Sequence, residues 1–93
     1  MPITFSIPGP LRQFTNGRAH VLVPGTFHTL RDAFAALCKI HPGLRDRVLT
    51  EQGEVRPHVN LFVGDDCIRY GRGLETPVPE GSEVSIIPAV SGG

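Results

Sequence analysis

Ninety-three residues make one small domain, and a chain of this size buries about 64% of its extended surface, enough for one core and too little for a deep substrate cleft. Nine basic residues balance nine acidic ones, which argues against binding nucleic acid or a membrane surface through phosphate neutralisation. Two cysteines, Cys38 and Cys67, are too few for a disulfide scaffold or a four-thiolate iron–sulfur cluster.

The opening residues Met1 to Pro8 carry no charged leader and no long apolar run, so neither a secretory signal nor a membrane span is expected, and the thiols read as those of a cytoplasmic protein. Ile3, Phe5 and Ile7 alternate with Thr4 and Ser6, the period-two pattern of a strand with one buried face. After a short connection at Leu11 to Phe14, Asn16-Gly17 signals a hairpin turn. Arg18 to Val23 reads as the second strand, with Ala19, Val21 and Val23 on one face.

Thr29 is placed to cap a helix, with Asp32 at the capping-box position. Leu30, Ala33, Phe34, Leu37 and Ile40 recur at helical spacing and predict one apolar stripe. Pro42-Gly43 stops this helix near Ile40–His41, and Leu44 to Leu49 predicts a further turn or two. Beyond a polar loop at Glu51 to Pro57, His58 to Val63 is the third strand. Its Val59, Leu61 and Val63 share one face, and Asn60 and Phe62 share the other. Gly64-Asp65-Asp66 turns the chain into a fourth strand, Cys67 to Tyr70, with Ile68 and Tyr70 expected inward. Leu74 and Val78 anchor the next loop. Glu83 to Pro88 is the last strand, with Val84 and Ile86 inward and Ser85 and Ile87 outward. The order β-β-α-β-β-β predicts an α+β domain, a sheet of four to five strands with one main helix on one face. One apolar stripe covers one sheet face, so the other is wet or meets a partner.

No enzymatic constellation emerges. Cys38 lies on the buried side of the helix, where an apolar setting makes a thiol inert. Cys67 has no neighbouring base to activate it. His20, His28, His41 and His58 lack the paired spacing of metal ligands, so no metal site is expected. Gly71-Arg72-Gly73 lies between strands rather than ahead of a helix and reads as a turn, not a phosphate loop. What remains is Ala89-Val90-Ser91-Gly92-Gly93, small residues apart from Val90, reaching about 17 Å beyond Pro88 if extended. Two glycines without Cβ atoms can pass a narrow channel and lie flat on another protein's backbone. Phe62 and Ile87, both off the helix-covered side, suggest a docking face for a protein partner, with Arg69 and Arg72 as charged contacts.

The stretch from Glu83 to Gly93 resembles the ending of ThiS/MoaD-type sulfur carriers. Val59-Asn60-Leu61-Phe62-Val63-Gly64-Asp65, Ile68-Arg69-Tyr70 and the Thr29 helix with its His41-Pro42-Gly43-Leu44 exit match as well. The resemblance spans essentially the whole chain and is strongest to the CysO branch. It implies a β-grasp, ubiquitin-like domain over residues 1–88 with a mixed sheet, and a flexible tail over 89–93. It also implies that the chain is a co-substrate rather than an enzyme. A ubiquitin-activating-enzyme-like adenylyltransferase/sulfurtransferase, using ATP and magnesium, would adenylate Gly93 and convert it to a thiocarboxylate. The carrier itself would hold no cofactor. The tail residues Pro88, Ala89, Val90, Ser91 and Gly92, with Phe62, Ile87 and Arg69, would engage partners. In the CysO-like reading these include a pyridoxal-phosphate cysteine synthase and a JAMM-type metallopeptidase, with no nucleic acid and no membrane. The small subunit of molybdopterin synthase and a ubiquitin-like protein modifier remain alternative readings of the same tail.

Overall fold

The computed structural model describes residues 2–88. Five strands and two helices follow one another: β1 (Ile3–Ser6), β2 (His20–Val23), α1 (Leu30–Ile40), α2 (Arg45–Val48), β3 (Val59–Val63), β4 (Asp66–Cys67) and β5 (Glu83–Pro88). They form one mixed sheet in the order β2-β1-β5-β3-β4. β1 pairs antiparallel with β2 and parallel with β5, so the last strand is inserted between the first and third and both its edges are satisfied. This is the β-grasp arrangement, with α1 across one face.

The alternation in each strand decides which face α1 covers. Ile3, Phe5, Val21, Val23, Val59, Leu61, Val84 and Ile86 are buried beneath it. From the helix come Leu30, Ala33, Phe34 and Leu37. The Phe5 and Phe34 rings meet tilted at 59° with centroids 6.3 Å apart, a favoured aromatic geometry at the middle of this layer. Thr29 caps α1 as expected, its Oγ1 accepting the Asp32 N–H at 3.3 Å. The Asn16-Gly17 turn places both residues in the left-handed region, at φ 56° and 81°. Thr15 behind it is fully buried, and its hydroxyl donates to the Arg18 carbonyl at 2.9 Å.

Several expectations are corrected. The connection at Leu11 to Phe14 is a 3-10 turn that begins earlier, at Gly9, with Pro10 in its first turn, where a missing N–H costs nothing. The second strand begins at His20, and Arg18 and Ala19 lead into it. The fourth strand is only Asp66–Cys67, and Ile68–Tyr70 is a 3-10 turn. A 3-10 turn rotates about 120° per residue, so Tyr70 no longer follows Ile68 inward; it is 88% exposed while Ile68 is buried. Ile40 also leaves the apolar stripe, at 49% exposed. It is the last residue of α1, and the core beneath that end is filled instead by Leu44 and Val48, which the turn at Pro42–Leu44 and α2 bring in.

Candidate docking face

β5 leads to the chain end and sits at the centre of the sheet. Val84 and Ile86 are driven into the core on one side, which leaves Ser85 and Ile87 on the uncovered side. The antiparallel register with β3 sets Phe62 opposite Ser85, Asn60 opposite Ile87 and Val59 opposite Pro88. Phe62 and Ile87 are therefore diagonal neighbours on one face, within reach of a long apolar side chain. Ile87 is 46% exposed and Phe62 half-buried. The face continues through Thr4 and Ser6 of β1 and through Cys67, which stands opposite Phe62. A small polar surround about two apolar side chains suits the seat of a protein partner.

Arg69, expected as a charged partner contact, is exposed and also has partners within the chain. Its Nε donates to Asn60 Oδ1 at 3.0 Å, and its Nη2 donates to the carbonyls of Pro57 and Val59, each at 3.0 Å. The guanidinium thus braces the start of β3, the segment facing Ile87 and Pro88. The 3-10 turn at Ile68–Tyr70 is what swings it there. Sequence reasoning did not find this positioning role, because it depends on a turn with no composition signal. Arg72 carries no ion pair among the described residues. Ala89, Val90, Ser91, Gly92 and Gly93 lie outside the described residues; of the tail residues, only Pro88 falls within them.

Elsewhere the chemistry is quiet. The Cys38 thiol is pushed up to about 11, first by burial, with Asp46 adding to the shift and Arg45 opposing it, so it is protonated and unreactive at neutral pH. It borders a cavity of about 280 Å³ lined by Phe34, Ala35, Leu49 and Leu74. A second groove of about 250 Å³ runs between Arg31, Glu54, Asn60 and Arg69, where Arg31 is paired with Glu75 at 3.3 Å. Among the described residues, no group of three or more His, Cys, Asp or Glu side chains is gathered to hold a metal ion. No helix among them is long and apolar enough to cross a membrane.

Comparison with known proteins places this geometry. The ThiS family model matches residues 5–93. The sulfur carrier protein CysO of Mycobacterium tuberculosis is 35% identical over 95 aligned positions, covering both chains completely. A putative sulfur carrier protein of Archaeoglobus fulgidus is 40% identical over 65 positions, 70% of this chain and 74% of that one. Among solved structures, the Amycolatopsis orientalis BexX/CysO complex superposes with a TM-score of 0.88 at 33% identity, covering 98% of this chain and 99% of the other. Small archaeal modifier protein 1 of Haloferax volcanii superposes with a TM-score of 0.83 at 28% identity over the full length of both.

Proposed function

This chain belongs to the ThiS family and is a β-grasp sulfur carrier, and we propose that it carries sulfur as a thiocarboxylate on Gly93, destined for cysteine synthesis. The observation that carries this reading is a family match running through residue 93, together with full-length similarity to a protein named as a sulfur carrier. A carboxylate is a poor electrophile, so the chain must be activated by a partner. The Gly93 carboxylate oxygen attacks the α-phosphorus of ATP and pyrophosphate leaves, forming an acyl-adenylate. Sulfide then attacks the acyl carbon, AMP departs and a proton is lost, leaving an ionised thiocarboxylate. That sulfur is a nucleophile at neutral pH, by the logic of a low-pKa thiol. It attacks an electrophilic carbon on an acceptor enzyme, in this reading a pyridoxal-phosphate cysteine synthase. Water, activated by a JAMM-type metallopeptidase, then hydrolyses the acyl link to the product, freeing it with its sulfur and restoring the Gly93 carboxylate.

This division of labour fits a fold with little room for an active site of its own. The domain supplies a docking face at Phe62 and Ile87 and a central strand, β5, that leads into the tail and runs beside the Arg69-braced start of β3. The adenylyltransferase supplies the ATP and magnesium site and the catalysis. The BexX/CysO complex is a precedent for a carrier of this fold bound to another protein. The test is intact-mass measurement after incubation with an activating enzyme, ATP and sulfide. The expected gain equals one sulfur-for-oxygen exchange at Gly93 and is lost on deleting that residue; no gain with any cognate activator overturns the reading.

A second reading, conjugation of Gly93 to lysines of other proteins, draws support from the similarity to the small archaeal modifier proteins. It predicts reductant-resistant, higher-mass conjugates in cell extracts.

A further inference from the structure

β2 is the outside strand on the side of the sheet away from β3 and β4. The Ile7 N–H donates to the Ala19 carbonyl at 2.8 Å, and this bond sets the alternation of the β1–β2 ladder. Ala19, Val21 and Val23 turn their backbone groups towards β1, so His20 and Leu22 turn theirs outward. Among the described residues, no loop or side-chain hydrogen bond ends on these four outward donors and acceptors. Among the described residues, the large exposed apolar side chains are Leu22, Ile40, Tyr70 and Ile87, and two of them flank this edge. Leu22, 61% exposed, stands on the outer sheet face opposite Thr4, and Ile40 ends α1 on the other side. Between them runs an open groove of about 470 Å³ lined also by Asn16, Arg18, His20 and His41. The lining residues include no carboxylate, though Glu83 of β5 reaches one of them, His20, at 4.0 Å, and Arg18 has no ion pair among the described residues.

We propose that the β2 edge is a strand-addition site for an extended segment of a partner protein, apolar at its centre and acidic at its flanks. An added strand would take up the backbone groups of His20 and Leu22. Its side chains alternate between faces, so one set meets Leu22 and the other Ile40, and a continuous apolar run is required rather than an alternating one. The unpaired Arg18 selects acidic flanks. A second copy of this chain would bring another arginine to the same groove instead of an acid. β1 and β5 lie between this edge and β3, so the backbone groups of His20 and Leu22 are separate from the tail that follows β5, although Leu22 shares the outer sheet face with Phe62 and Ile87.

The probe is a capped synthetic peptide, Glu-Glu-Val-Ile-Val-Glu-Glu, titrated into the full isotope-labelled chain and followed by amide shifts and hydrogen exchange. Binding is expected to move the His20 and Leu22 amides and slow their exchange. Leu22→Pro removes one outward N–H and leaves the β1-facing bonds of Val21 and Val23 in place; it is expected to weaken binding at least about tenfold. Arg18→Glu, which leaves the strand backbone intact, is expected to do the same, as is replacing the flanking glutamates of the peptide by lysines. The proposal is overturned by no binding at about 1 mM peptide, by shifts confined to the β3–β5 face, or by undiminished affinity in both variants. It is also overturned if the chain alone dimerises with His20 and Leu22 protected, which would give the edge to a second copy.

Discussion

Asn60 stands directly across the β3–β5 ladder from Ile87, and the Arg69 guanidinium holds the Asn60 side-chain oxygen at 3.0 Å. The same guanidinium bonds the carbonyls of Pro57 and Val59, so one side chain fixes the strand start that faces the end of β5. Arg69→Ala is expected to lower stability by about 1–3 kcal/mol, since it leaves three acceptors to partly accessible solvent. Arg69→Lys should recover only part of this, because a point charge cannot reproduce the fork that spans them. Urea denaturation of the three proteins checks both statements.

The candidate docking face makes a separate prediction, because Ile87 lies on the side of β5 away from the core. Ile87→Asp replaces a half-exposed side chain and should change stability by about 1 kcal/mol or less. The same substitution should raise the activating enzyme's KM for the carrier at least about tenfold, as expected for an apolar anchor at an interface centre. Phe62→Ala should act in the same direction, with a larger stability loss because Phe62 is half-buried. Steady-state adenylation kinetics at varied carrier concentration separate this KM effect from any change in kcat.

Cys38 gives the fold a signature in alkali. Its thiol is raised from 9.0 to about 11 by burial, so the folded state holds the proton more tightly than the unfolded chain. The stability this contributes is fully present below pH 9 and is lost as pH rises from 9 through about 11. Cys38→Ala should flatten that part of the stability–pH curve, read by thermal melts between pH 8 and pH 11. Alkylation of native Cys38 at pH 8 should run at least about tenfold slower than in the urea-unfolded chain.

Phe34 and Tyr70 test the two sides of the burial reading. Phe34→Ala removes a ring packed on Phe5 in the middle of the core and should cost about 3–5 kcal/mol. Tyr70→Ala, at a position 88% exposed, should change stability by about 0.5 kcal/mol or less. A large loss at Tyr70 would return that residue to the core and restore the longer fourth strand.

Much of this architecture is carried by local pattern. Alternation in Ile3 to Ile7, His58 to Val63 and Glu83 to Pro88 assigns each residue to a face, since a strand has period two whatever its neighbours are. The Thr29 cap and the Asn16-Gly17 turn are equally local, because each is decided by the backbone preferences of one or two residues. Phe62 and Ile87 were legible as a shared outward face for the same reason, once β3 and β5 were taken as neighbours.

Other features belong to the tertiary structure. Ile40 keeps helical spacing yet is exposed, because Leu44 and Val48 fill the space it would have reached. Tyr70 keeps strand spacing yet points to solvent, because the chain closes into a 3-10 turn one residue after Cys67. Arg69 read from the sequence as a charged partner contact, and the structure adds a brace for β3, a role that needs residues nine to twelve positions away in sequence to be folded beside it. Neutral charge and small size, read from the sequence, already pointed away from an internal active site and towards the Gly92-Gly93 end. Which strands flank the one that leads to that end and which sheet edge stays open were decided only when the parallel β1–β5 pairing drew the last strand into the middle of the sheet. That contact joins residues some eighty positions apart, and no local periodicity encodes it.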